Sequence, residues 1–314
     1  MQMLSMMILF LALTQSPAAA QPPVHPDVLR LQVMLDRAGF SPGTIDGRMG
    51  ANTKKALGTF QKQDRQEQAI EAVTRYRITA ADAAGPFVTM PSGMKQQAVL
   101  TALGYTSLLE AIAERFHCTT TLLRQLNSDA RFTEGEEIEV PNVEAMVMPA
   151  VPPTPAMDKP EPPTPEAAPV REVAPAKPDV VVTVTKRMSA LTVTGTGGQV
   201  VFYAPVTIGS KHDPLPLGKW KVNGVQFNPT FSYNPHLFWD ANQKDKKATI
   251  PAGPNNPVGL VWIDISREHY GLHGTPEPST IGRRQSHGCV RLTNWDALKL
   301  AGLVKPGTRV LFKK

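Results

Sequence analysis

The run Ser286-His287-Gly288-Cys289-Val290-Arg291-Leu292, preceded by His273-Gly274, lies among short segments that alternate apolar and polar residues. These are Val180 to Thr185, Leu191-Thr192-Val193-Thr194, Val200-Val201-Phe202-Tyr203, Gly218 to Val222, Leu260 to Ile265 and Val310-Leu311-Phe312. A period of two broken by Gly, Pro and Asn-Pro turns predicts strands. Residues 180–314 are therefore expected to be mostly β. One helix should follow Thr293, whose hydroxyl can cap it, with Asp296 three residues on and Ala297, Leu298, Leu300 and Ala301 inside. The turn His212-Asp213-Pro214-Leu215-Pro216-Leu217-Gly218 introduces one of the strands.

A thiol is a weak nucleophile until its pKa is lowered or a base takes its proton, and an imidazole does the latter at neutral pH. Two histidines and one cysteine within 17 residues supply both groups. Gly288 permits a tight turn that aims the Gly288 and Cys289 amides at one spot, where an oxyanion could develop. His287, two residues from Cys289, shares its face if the segment is a strand.

The sixteen-residue step from His273-Gly274 to Cys289, ending in Ser286-His287-Gly288-Cys289, resembles the signature of the YkuD-type L,D-transpeptidase catalytic domain, and the likeness covers essentially all of 180–314. The resemblance implies a mostly-β, sandwich-like fold and a cysteine acyl transferase acting on peptidoglycan stem peptides. By motif position Cys289 is the nucleophile, His273 the general base, and the Gly274 carbonyl orients the imidazole. His287 and Gly288 complete the catalytic turn, Ser286 and His287 shape the pocket, and Arg291 holds a substrate carboxylate through its planar fork. Some members carry Asn where this chain has Arg291. No metal or organic cofactor is implied. The same thioester resolved by water would make an L,D-carboxypeptidase or hydrolase, and a wall-binding scaffold is the non-enzymatic alternative.

Upstream, 11 prolines fall between Pro149 and Pro178, interleaved with Ala, Glu, Thr and Val. This predicts an extended linker, 144–179, that tethers a recognition half to the catalytic half. In the recognition half, Val28, Leu31, Leu35 and Ala38 recur at helical spacing. Gly39 and the turn Ser41-Pro42-Gly43-Thr44-Ile45-Asp46-Gly47 follow, and a second helix near Asn52 or Thr53 buries Ala56, Leu57 and Phe60. Over 22–66 these residues resemble the small helical peptidoglycan-binding domain found beside many wall enzymes. Further on, Ser107 and Glu110 have capping-box spacing before Leu108, Leu109, Ile112 and Phe116, and a second short helix holds Leu122, Leu123 and Leu126. Ile138 and Val140 then alternate before Pro141. Residues 75–143 weakly resemble a LysM module, whose first strand would be Tyr76-Arg77-Ile78-Thr79, separated from the helices by an insertion of some thirty residues.

Residues 1–20 carry no charged side chain; an apolar core, Leu4 to Leu13, precedes Ala18-Ala19-Ala20 and Gln21. This reads as a cleavable secretory signal and places the chain in the periplasm or cell envelope. Gln21 in place of Cys argues against a lipoprotein anchor. No later window approaches a membrane span, so no stable insertion is expected after cleavage. Residues 180–314 hold 17 Lys and Arg against 7 Asp and Glu, and the whole 314-residue chain carries +6. The basic half favours a polyanionic partner: cell-wall polymer or anionic lipid before nucleic acid. Expected partners are stem peptides, glycan strands and an acceptor amine, which could belong to a wall-attached protein. Two cysteines, Cys118 and Cys289, build neither a disulfide framework nor a zinc site, although one bridge between them would bury the nucleophile. The loop from Thr275 to Gln285 is expected to be a flap over the donor, and Trp262 and Trp295 are expected in the core. The reading as a whole is multidomain: a small helical N-terminal domain, a LysM-like α+β module, a linker and a mostly-β catalytic domain.

Overall fold

The computed structural model describes residues 23–149 and 179–314, apart from Asp64, Gln68 and Asp240. The expected signal peptide and the proline-rich run up to Pro178 lie outside the described residues.

Helix α1 (Pro26–Arg37) opens with Pro26 in its first turn, where the missing N–H costs nothing, and buries Leu29, Val33 and Leu35. Helix α2 (Ala51–Gln61) buries Ala56 and Phe60. The loop between them is held by the buried Gln32 amide. Its nitrogen donates to Asp46 Oδ1 at 2.9 Å and Thr53 Oγ1 at 3.1 Å, and its oxygen accepts from the Gly47 amide at 2.8 Å. At Gly47, φ is +69° and a Cβ would come within 2.6 Å of Val24, so this turn requires glycine.

Strand β1 (Val73–Arg77) pairs antiparallel with β2 (Glu137–Pro141). The segment between them includes α3 (Ala80–Ala83), α4 (Met94–Gln97), α5 (Leu108–Arg115) and α6 (Thr120–Leu126). Ser107 caps α5 by accepting from the Glu110 amide at 3.2 Å, as its spacing predicts. The strand starts earlier than expected, at Val73, and Ile78 instead enters the core shared with Ile112, Leu122 and Ile138.

The C-terminal part is one eight-stranded sheet in the order β11-β10-β9-β6-β12-β3-β4-β5. Its strands are β3 (Val181–Thr185), β4 (Ala190–Thr194), β5 (Val200–Pro205), β6 (Gly218–Phe227), β9 (Val261–Ile265), β10 (Gly271–His273), β11 (Val290–Arg291) and β12 (Arg309–Lys313). A separate two-stranded ribbon joins β7 (Phe231–Tyr233) to β8 (Ala248–Ile250). The sheet is curled rather than a pair of stacked layers. Just past β5, Thr207 exchanges backbone hydrogen bonds with Arg291 of β11, at 3.0 and 2.8 Å, so the two edges of the sheet meet. That closure satisfies groups an open edge would leave exposed. Helix α7 (Asn294–Leu303), capped by Thr293 as expected, packs Trp295, Ala297 and Leu300 against Val182, Ile263 and Leu292 in the main core.

The N-terminal elements are not beads on a tether. Leu29, Val33 and Ile45 of the hairpin share a core with Ile112 and Leu122. Phe40 and Phe60 pack with Ala190 and Tyr203 of the sheet. Ser41 N donates to Tyr203 O at 2.9 Å and Tyr203 N to Gly39 O at 2.8 Å, so the hairpin covers part of the β5 edge. The expectation of two halves separated by their linker gives way to direct packing, because the hairpin's apolar residues exceed what two short helices can bury alone.

Candidate active site

Strand β10 ends at His273, and β11 runs parallel beside it with Arg291 opposite His273 in register. The parallel pairing forces the intervening chain to cross over and return, which brings Cys289, one residue before β11, to the same end of the sheet. Cys289 and His273 both line a cavity of about 810 Å³, together with His287, Arg291, Trp262 and Tyr270.

His273 Nδ1 lies 2.7 Å from the Gly274 carbonyl. A carbonyl only accepts, so Nδ1 carries the hydrogen and Nε2 keeps its lone pair. The ring is buried and stacks on Trp262 at 5.5 Å between centroids. Burial, then the Arg291 charge, lower its pKa to about 3 against the opposing Gly274 bond, so the imidazole is neutral at physiological pH. Burial pushes the Cys289 thiol up, opposed by a Gly271 backbone hydrogen bond and the Arg291 charge. The Cys289 thiol donates to the His269 carbonyl at 3.7 Å. The resting pair is therefore thiol and neutral imidazole rather than thiolate and imidazolium.

Gly288 has φ +108°, and a Cβ there would stand 2.7 Å from the Tyr270 ring. Glycine is required to fold the turn that carries Cys289. The segment is a bend rather than a strand, so His287 does not reach the cavity by strand alternation. It does so against Phe238, 5.0 Å away, and Trp239, 5.8 Å away. Ser286, expected at the substrate, is buried and donates to the Cys289 carbonyl at 2.6 Å. It clamps the turn that carries Cys289. Gly274 is packed against the Asn294 side chain, which also accepts from the Leu260 amide at 3.0 Å.

One further expectation holds and two change. Both cysteines are free, as the reading of Cys289 as nucleophile expects, with Cys118 buried and its thiol pKa raised by that burial. Trp262 is half-buried on the cavity wall rather than in the core, whereas Trp295 is buried as expected. The Thr275–Gln285 loop does not cover the cavity. Ile281 O accepts from Asn52 Nδ2 of the hairpin at 3.0 Å, which anchors this loop to the N-terminal domain. The cover comes instead from the β7–β8 ribbon and the connection between its two strands, through Phe231, Tyr233, Leu237 and Phe238. Its signal was present in the sequence: Phe227, Phe231, Tyr233, Phe238 and Trp239 place five of the chain's 20 aromatic residues in 13 positions.

Comparison with known proteins places these features. Residues 178–311 match the family "L,D-transpeptidase catalytic domain" (YkuD), and residues 24–68 match "Putative peptidoglycan binding domain". The chain is 39% identical over 120 residues to "Probable L,D-transpeptidase YbiS" of Escherichia coli K12, covering 37% of this chain and 39% of that one. It is 49% identical over 120 residues to "Probable L,D-transpeptidase ErfK/SrfK" of Salmonella typhimurium, covering 36% and 38%. The chain thus spans about two fifths of the length of these relatives. The structure titled "L,D-transpeptidase from Mycobacterium smegmatis" superposes with a TM-score of 0.36 at 17% identity, covering 44% of this chain and 59% of that one. Over 178–311 the chain is thus similar to the L,D-transpeptidase catalytic domain of the YkuD family, and over 24–68 to a putative peptidoglycan binding domain.

Proposed function

We propose that the chain is an exported peptidoglycan L,D-transpeptidase working through a Cys289 thioester. The observation that carries this reading is His273: a neutral, buried imidazole with Nδ1 tied to the Gly274 carbonyl, in the same cavity as Cys289. Such a ring is unprotonated at rest, so its Nε2 lone pair is free to accept a proton without losing one first.

In acylation the thiol exchanges its His269 acceptor for His273 Nε2 and gives up its proton as Sγ attacks the carbonyl between the third stem residue, a diamino acid, and D-alanine. The Sγ–C bond forms, the C–N bond breaks, and the imidazolium returns the proton to the departing D-alanine amine. In the second half an acceptor amine, on another stem or on a wall-attached protein, attacks the thioester. His273 takes the amine proton and passes it to the leaving thiolate. Gly288 and Cys289 offer backbone amides to the oxyanion, and Arg291 offers its guanidinium to a substrate carboxylate.

Residues 1–20 serve as the export signal in this reading, which places the enzyme in the periplasm or envelope. The region 75–143 is read as the LysM-like glycan binder, supported by the antiparallel pairing of β1 with β2 and by α5 and α6 before β2, with α3 and α4 in the insertion after β1. Since the N-terminal elements pack directly on the catalytic domain (180–314), wall binding would orient the cavity as well as concentrate it. The test is the intact mass of the protein after incubation with a disaccharide-tetrapeptide and, separately, with a carbapenem, for wild type and Cys289→Ala. A Cys289-dependent adduct with D-alanine release is expected; no adduct on reduced, folded protein overturns the reading.

A further inference from the structure

The wall of the cavity is not made by the catalytic domain alone. Met94, at the start of α4 in the N-terminal half, is among its lining residues. It belongs to the insertion between β1 and α5 that separates the strand of the LysM-like unit from its helices. Leu103, from the same insertion, is fully buried in a small core with Tyr233 and Ile250 of the ribbon, against which Met94, Phe231 and Phe238 also pack. The contact is sealed by backbone. Leu103 N donates to Ala252 O at 2.9 Å, Asn255 N donates to Leu103 O at 3.0 Å, and Asn255 Nδ2 donates to Gly104 O at 2.9 Å. From this core the rings run on toward the nucleophile: Tyr233 to Phe238 at 5.8 Å, then Phe238 to His287 at 5.0 Å, two residues from Cys289.

A two-stranded ribbon with three residues per strand does not hold its own shape in water. Here a segment outside the catalytic domain supplies the apolar surface that fixes it. Met94 itself presents a flexible, polarizable side chain to the cavity, whose lining elsewhere includes the guanidinium-bearing Arg291 and Arg267.

We propose that residues 86–104 are the brace and end wall of the peptide cleft, with Leu103 a positioning residue for the β7–β8 lid and Met94 a specificity-determining residue that touches the apolar part of a bound stem peptide. The identity of that ligand rests on the transpeptidase reading; the brace does not. Stem-peptide affinity is then set in part by the N-terminal half of the chain.

The experiment uses the full chain, as wild type, Leu103→Ala, Met94→Ala and Met94→Leu. Two readouts are taken: hydrogen exchange of residues 231–250 against that of β3 and β4, and steady-state kinetics with a disaccharide-tetrapeptide. Leu103→Ala should speed exchange in 231–250 by about ten-fold while β3 and β4 stay protected. It should raise KM roughly 3- to 10-fold with kcat within about two-fold. Met94→Ala should raise KM similarly with lid exchange unchanged, and Met94→Leu should restore KM. Unchanged lid exchange in Leu103→Ala overturns the brace, and unchanged KM in Met94→Ala overturns the specificity role. If Leu103→Ala does not fold, Ile250→Val reads the same contact from the lid side. If wild type leaves the tetrapeptide untouched, the transpeptidase reading fails, and lid exchange alone decides the brace.

Discussion

The Ser41 hydroxyl, in the loop of the N-terminal hairpin, donates a 2.9 Å hydrogen bond to the carboxylate of Asp296 in the first turn of α7. Both side chains are buried, so the contact crosses directly from the N-terminal hairpin into the C-terminal core. Nearby, Glu114 of α5 accepts from Asn294 Nδ2 at 2.7 Å, and His117 Nδ1 lies 3.1 Å from Asp36 with its ring stacked on Trp295. The first turn of α7 is where the N-terminal elements dock.

This docking site makes stability fall with rising pH. Burial, reinforced by the Asp36 charge, pushes Asp296 from 3.8 up to about 7, and burial pushes Glu114 from 4.5 up to about 7. The folded chain holds protons that the unfolded chain releases near pH 4, so stability is greatest below that and is lost up to about pH 7. A shift of this size corresponds to on the order of 4 kcal/mol for one fully buried group. Urea titrations from pH 4 to 8 should show the decline, and Asp296→Asn and Glu114→Gln should each flatten it. A wild-type profile that rises over this range sinks the prediction.

The two cysteines should separate cleanly. Cys289→Ser is expected to lose on the order of 10³-fold or more in acylation, since a hydroxyl is a far weaker nucleophile beside the same base. Cys118→Ser should keep acylation and lose about 1–3 kcal/mol of stability, because its hydroxyl replaces a thiol in an apolar core. The check is adduct formation by mass spectrometry beside urea melts. Equal loss of acylation in both variants would contradict the assignment.

His273 has its pKa lowered to about 3 and the Cys289 thiol pKa is raised, so kcat/KM should show no break near the ordinary imidazole value and stay level between pH 5 and 8. Activity should fall on the acid side only as pH approaches 3. His273→Gln should lower kcat by about 10²- to 10⁴-fold at every pH in this window. A pH–rate profile with a limb centred near 6.5 would show instead that the imidazole titrates normally.

Gly288→Ala should cripple the site more than the fold. The substitution strains a φ of +108° and drives a methyl group toward Tyr270, which turns the Cys289 amide away from its place. The expected loss is about 10²-fold in kcat with 1–3 kcal/mol of stability. Activity near wild type would mean that the turn relaxes freely.

Local pattern carried much of this protein in its sequence. The alternating segments at 181–185, 191–194, 200–203 and 261–265 are strands because a half-buried strand must alternate. Thr293 caps α7 because its hydroxyl sits where the first helical amides need an acceptor. His273, Cys289 and Arg291 come to one cavity because they flank two short strands of one motif. What tertiary structure alone decided lies where no period exists. Strands of two or three residues, β7, β8, β10 and β11, are too short to repeat, so they take their form from their partners. Ser286 turned to the Cys289 carbonyl three residues on, a contact that closes the Gly288 turn and that no period in the sequence marks. Met94 and Leu103 reached the cleft, and Ser41 reached Asp296 across 255 residues of chain, because apolar surface that no local element could bury was covered by whichever surface the folded chain brought to it.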